Sequence, residues 1–206
     1  MSTMNRLFSF LLFSFLTFTL QGQIGLGVKA GVNMAQQSIQ DIDLDFDSDE
    51  ISGSIWGAFL EVPLGEGAFA LQPEFLVVQK GGKTLLPNIK TTINYIEIPI
   101  LLKLRLINSN LIDINILGGP SFGYARNGEY LEDNAVVKLN FGNDNIQRFD
   151  LGMHGGGAVE LQLGSLRAFG DVRYLFGISD LDGTESRTVT NKGITVSAGL
   201  IFKLFD

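Results

Sequence analysis

From Asn94 to Leu106 the chain reads NYIEIPILLKLRL, with Ile96, Ile98, Ile100, Leu102, Leu104 and Leu106 at every second position and Glu97, Pro99, Leu101, Lys103 and Arg105 between them. Wound as a helix at about 100° per residue, this segment would place Glu97, Lys103 and Arg105 at roughly 0°, 240° and 80°, leaving no apolar face. Drawn out as a strand, it has one wholly apolar face and one that carries all the charge.

The pattern recurs, and eight segments carry it. In IGLGVKAGVNM, Ile24, Leu26, Val28, Ala30, Val32 and Met34 alternate with Gly25, Gly27, Lys29, Gly31 and Asn33. Between Ser54 and Val62, Trp56, Ala58, Leu60 and Val62 oppose Gly57, Phe59 and Glu61; between Ala68 and Gln79, Phe69, Leu71, Phe75 and Val77 oppose Gln72 and Glu74. The opening stretch is the fourth. The fifth, Leu111 to Tyr124, sets Ile112, Ile114, Ile116, Phe122 and Tyr124 against Asp113, Asn115 and Ser121. The sixth, Ile146 to Leu163, sets Phe149, Leu151, Met153, Val159, Leu161 and Leu163 against Asp150, His154, Glu160 and Gln162. In the seventh, Leu166, Ala168, Val172, Tyr174 and Phe176 oppose Arg167, Asp171 and Arg173; in the last, from Gly193 to the C-terminus, Ile194, Val196, Ala198, Leu200, Phe202 and Leu204 oppose Thr195, Ser197 and Lys203.

The spacers alternate in length. Long ones run from Ala35 to Gly53, Lys80 to Thr92, Ala125 to Asn145 and Gly177 to Lys192; short ones are Pro63 to Gly67, Ile107 to Asn110, and Gly164 with Ser165. Tight turns at one end and long loops at the other are the signature of an up-and-down meander across a bilayer. Segments of roughly 10 to 14 residues also suit a tilted crossing better than the usual 5 to 6 of soluble strands. The predicted fold is therefore all-β: an eight-stranded antiparallel transmembrane barrel with long extracellular loops and short periplasmic turns. Its apolar faces meet lipid. The inward set is Lys29, Glu61, Glu74, Glu97, Lys103, Arg105, Asp113, Asp150, His154, Glu160, Arg167, Asp171, Arg173 and Lys203, nearly balanced in charge and expected to pair inside a plugged lumen. The competing fold is a soluble, lipocalin-like carrier with the apolar faces inward. Pro73, Pro99 and Pro120 fall inside strands with no free edge, so a bulge is expected at each.

Composition narrows the picture. The chain has 206 residues, 45% hydrophobic, with 25 glycines and no cysteine, which excludes disulfide frameworks, thiolate metal sites and a lipid-anchored cysteine. A net charge of −7 leaves no basic surface for nucleic acid. Glycine serves a tightly curved small barrel, in GLGVKAG and HGGGAVELQLG; neither run joins a strand to a helix, as a phosphate loop does. The N-terminus has an early cation, Arg6, an apolar run from Leu7 to Leu20 and a polar exit. Residues 1–22 are read as a cleaved signal peptide and 23–206 as the barrel; the run is short for a membrane anchor, the competing reading.

Candidate chemistry is sparse. His154 is the one histidine, placed by the strand pattern in the lumen near Asp150 and Glu160, where a polar-network role is preferred to a catalytic one. QDIDLDFDSDE gathers Asp41, Asp43, Asp45, Asp47, Asp49 and Glu50. It lacks the glycine and the terminal glutamate of a calcium loop, and a solvated acidic loop or strand extension is preferred to a Ca²⁺ site. Nothing asks for a cofactor.

GVKAGVN, LQPEFLVVQKGGKT, NYIEIPILLKLRL, GGPSFGYA, FDLGMHGGGAVEL and VRYLFGISDL together resemble the PorT-like family of outer-membrane β-barrels of the Bacteroidota. The most specific of these motifs sets Glu97, Pro99 and Lys103 in an aliphatic run. The resemblance implies residence in the outer membrane of a Gram-negative bacterium, contact with outer-membrane lipid, assembly by the barrel insertion machinery and an eight-stranded barrel. It also implies a tie, in one type of member, to protein secretion across the outer membrane. Members often end on an aromatic residue, whereas here Asp206 follows Phe205. The expected role is structural or accessory and not enzymatic, with secretion-system or envelope proteins as partners; a narrow pore and an outer-membrane hydrolase are the alternatives.

Overall fold

The computed structural model describes residues 24–41, 45–65, 67–84, 89–132, 135–141, 146–182 and 187–204. The expected signal peptide, residues 1–22, lies outside them. Ten strands follow in order: β1 (Gly25–Asp41), β2 (Asp45–Asp47), β3 (Ile51–Pro63), β4 (Phe69–Thr84), β5 (Ile89–Asn108), β6 (Ile112–Glu132), β7 (Ala135–Lys138), β8 (Phe149–Leu163), β9 (Leu166–Gly177) and β10 (Arg187–Lys203). Eight of them form an antiparallel meander that closes on itself, because β10 pairs with β1 from Gly25↔Lys203 to Asp41↔Arg187. The short β2 and β7 add to β1 and β6 beyond the ring.

Alternation decides what each face meets. Leu26, Val28, Val32, Trp56, Phe75, Ile98, Leu102, Phe122, Val159 and Val172 all point outward and are exposed. A continuous apolar belt of this kind is stable against hydrocarbon and not against water. The lipocalin-like reading, which needs these side chains inside, is thereby overturned. Closure leaves no free sheet edge among the eight staves, as a bilayer interior requires. The start of β1, the end of β10 and the tight turns after β3, β5 and β8 share one end, which is the periplasmic one.

Two expectations need correction. Pro73, Pro99 and Pro120 produce no bulge: the registers Pro73↔Ile100, Pro99↔Ser121 and Pro120↔Met153 run on without a shift, and the irregularities lie instead at Asn94/Tyr95 and Arg105/Ile107. Each proline lacks an N–H on the side of the preceding strand, and there the ladder lapses, between Phe59↔Glu74 and Val62↔Leu71, between Pro73↔Ile100 and Leu76↔Glu97, and between Pro99↔Ser121 and Leu102↔Gly118. A lapse in constant register keeps every side chain on its face, which a bulge would not.

The long spacers, too, are mostly strand. β5 and β6 run for 20 and 21 residues, about twice what a crossing needs, and continue as a ribbon above the membrane. The acidic stretch behaves likewise: β1 reaches Asp41 and β2 folds back on it, pairing Ser38↔Asp47. Asp43 lies outside the described residues, and Asp47 contacts Lys192, with Nζ to Oδ2 at 2.6 Å.

Candidate functional site in the barrel lumen

Because every second residue of a stave faces inward, charges far apart in sequence meet across the lumen. At the periplasmic level, Lys103 of β5 lies between Glu61 of β3 and Glu160 of β8, and Arg167 of β9 forks between the same two carboxylates at 2.7 and 2.8 Å. All four are buried. At mid-height, Arg173 bonds Glu74 and Asp171 at 2.8 and 2.6 Å, while Lys29 donates to Asp171 at 2.9 Å and lies 3.9 Å from Glu74. Gln72 and Ser197 donate to the remaining carboxylate oxygens of Glu74 and Asp171. Both groups hold two cations and two anions, so each cancels its own charge where the dielectric is low.

The outermost group is different. Lys80 bridges Glu97 and Asp150 at 2.9 and 3.0 Å, Asn191 donates to Asp150 at 2.9 Å, and His154 Nε2 sits 2.7 Å from Glu97 Oε1. His154 therefore bonds Glu97, in the same Lys80-bridged group as Asp150, whereas Glu160, also expected near it, belongs to the lowest group. His154 Nδ1 makes no hydrogen bond among the described residues.

Apolar side chains pack against these charged groups. Phe59 and Phe169 meet edge to face with centroids 5.5 Å apart, beside Ile201. Gly27 makes this possible, since a Cβ there would lie 2.1 Å from the Phe59 ring. Leu101, Leu117 and Ala158 form a second cluster. The outer end is filled by Ile55, Leu76, Val78, Ile93, Tyr95, Ala125 and Phe141, the last arriving from the segment after β7 and covered by the Arg148 guanidinium at 4.3 Å.

Of the predicted inward set, Arg105 and Lys203 are only half-buried, at the periplasmic mouth, where Arg105 Nε is 3.6 Å from Asp113. Asp113 itself is buried. Lys80 was missed, having been placed in a spacer; the inward parity that continues from Gln72 through Glu74, Leu76 and Val78 to Lys80 was the available signal. Asn33, Tyr95 and Asn191 also enter the lumen. The mouth opens on a cavity of about 550 Å³ lined by Glu61, Lys103, Arg105, Asp113, Asn115, Arg167 and Lys203, among others.

A closed ring with an apolar exterior and a paired, polar interior is the architecture against which known proteins can be compared. The model of the outer membrane protein beta-barrel domain family matches residues 17–183. The chain belongs to this family. It is an integral outer-membrane β-barrel protein of bacteria. Among solved structures, it is similar to Neisserial surface protein A, with a TM-score of 0.55 at 9% identity over 88% of this chain and 97% of that one. It is also similar to a major outer membrane protein from Thermus thermophilus, with a TM-score of 0.53 at 8% identity over 88% and 99%. At such identities the likeness is one of fold. No curated protein matches the chain.

Proposed function

We propose that this barrel is a non-catalytic accessory protein of the envelope, whose extracellular ribbons engage another surface or secretion component. The observation that carries this reading is β7. Among the described residues it pairs with β6 alone, all four of its residues are exposed, and it holds Val136 and Val137 in water above the membrane. A short strand with an open edge is suited to receive a strand from a partner. The filled lumen supports the same reading, because ion pairs and apolar clusters occupy the path that a transported solute would take. The resemblance to PorT-like barrels favours protein secretion across the outer membrane as the process served.

The test compares secreted and surface proteomes of the parent strain, a clean deletion, the deletion restored with the full gene, and the deletion restored with a variant lacking residues 129–138. Selective loss of one class of exported proteins, recovered by the full gene and not by the variant, is the expected result. Unchanged secreted and surface proteomes in the deletion would overturn the proposal.

A further inference from the structure

The periplasmic cavity combines surplus positive charge with an unsatisfied amide. Lys103 and Arg167 reach it, but both are already neutralised between Glu61 and Glu160. Arg105 is not so placed. Its Nε is 3.6 Å from Asp113 Oδ2, beyond a good hydrogen bond, and has no hydrogen-bond partner among the described residues. Asp113 is otherwise engaged, accepting from Gln162 Nε2 at 2.7 Å and from the Ser109 N–H at 3.1 Å. Lys203 lines the same cavity and adds a second cation to this rim.

Asn115 is the independent observation. It is the direct cross-strand partner of Arg105, it is 1% exposed, and it lines the cavity with both Nδ2 and Oδ1 unbonded among the described residues. Buried amides in proteins are almost always paired, so one left open on both atoms marks a place that something else completes. Beside the carboxylates of Glu61 and Asp113, the cavity lining offers the Arg105 guanidinium, the Asn115 amide N–H₂ next to it and, across the ring on β10, the Lys203 ammonium, donors of the kind that recognise a carboxylate or phosphate. A cavity of about 550 Å³ has room for more than the bare anion, and lies within the usual range of small-ligand sites.

We infer that the periplasmic vestibule binds a compact oxyanion, a carboxylate or a phosphate borne on a small molecule or chain end, with Arg105 and Lys203 supplying charge and Asn115 the neutral hydrogen bonds. The site is at the opposite end of the barrel from the ribbons on which the accessory reading rests, so either can fail alone. The experiment is calorimetric titration of the mature barrel, refolded in a neutral maltoside detergent, with N-acetyl-trialanine, its C-terminal amide, and inorganic phosphate. The wild type is expected to bind the peptide acid or phosphate saturably, and the amide at least tenfold more weakly than the acid if the carboxylate is the ligand. Which of the two anions binds distinguishes a peptide source from a phosphate source. Arg105→Gln, Lys203→Gln and Asn115→Leu are each expected to weaken binding by about tenfold; Asn115→Leu is near in size and relieves the buried amide, and Lys203 is only half-buried, so both keep the test open if Arg105→Gln fails to fold. No saturable binding of either anion, or wild-type affinity in the folded variants, would overturn the inference.

Discussion

Lys103 stands where the cost of a single change is easiest to argue. Removing its ammonium leaves Glu61 and Glu160 buried with Arg167 alone between them. Breaking a buried pair typically costs about 3–5 kcal/mol, chiefly through the charge left uncompensated. Lys103→Met is expected to lower the unfolding free energy in lipid vesicles by that order, and adding Glu160→Gln should recover part of the loss; equal stability of Lys103→Met and wild type would contradict the paired lumen. The glycine run offers a sharper contrast. A Cβ at Gly156 would fall 2.2 Å from the Val172 carbonyl oxygen, whereas at Gly155 it meets nothing within 4 Å. Gly156→Ala should therefore destabilise the barrel in denaturant titrations, and Gly155→Ala, one residue away and facing outward, should be neutral. Above the membrane, a hydrogen bond from Lys192 holds the Asp47 carboxyl below the usual carboxylate range. Its folded value lies below the unfolded one, so the pair's contribution is complete above about pH 4 and disappears as the pH falls through the folded value. Both groups reach solvent, which makes the effect local. Carboxyl NMR titration should show Asp47 moving up toward the ordinary range in Lys192→Gln.

At the scale of elements, the strands were legible because their side-chain period is two and the two media differ so strongly. The phase of each stave followed from a handful of residues such as Trp56 and Leu60 against Phe59 and Glu61. Strand ends were not legible. Once a strand clears the bilayer, both faces meet water, alternation loses its meaning, and residues such as 83 and 84 or 187 to 190 read like loop although they continue the ladder. Lys80 was lost one step earlier: it is buried and still follows the inward parity of Gln72, Glu74, Leu76 and Val78, but Gly81 and Gly82, buried beside it, end the alternation there. The prolines failed differently: sequence reasoning correctly found the missing donor and chose the wrong accommodation, a bulge in place of a lapse in constant register. Pro99→Ala should leave the register unchanged and alter stability by no more than about 1.5 kcal/mol, the net worth of a restored backbone hydrogen bond. A shift in hydrogen-exchange protection across all of β5 would show that the proline sets the register after all.

For the whole molecule, the inward charges were readable one by one but their partners were not, since pairing depends on how the staves are stacked around the ring. His154 illustrates this: parity put it in the lumen, and only the closed barrel puts it on Glu97. The function proposed above is less legible still, because the ribbons and the periplasmic mouth on which it rests are built from residues that are ordinary in sequence. The central claim is that the apolar face of every stave meets lipid and the charged face a filled lumen. The absence of cysteine makes it directly testable by placing single cysteines at each position from Asn94 to Leu106, attaching a nitroxide, and measuring collision with oxygen and with a water-soluble nickel chelate in liposomes. The account predicts a period of two, with oxygen accessibility high at Ile96, Ile98, Ile100, Leu102 and Leu104 and both reagents excluded at Glu97, Pro99, Leu101 and Lys103. Accessibility that does not alternate, or that peaks for oxygen at the charged positions, would contradict it.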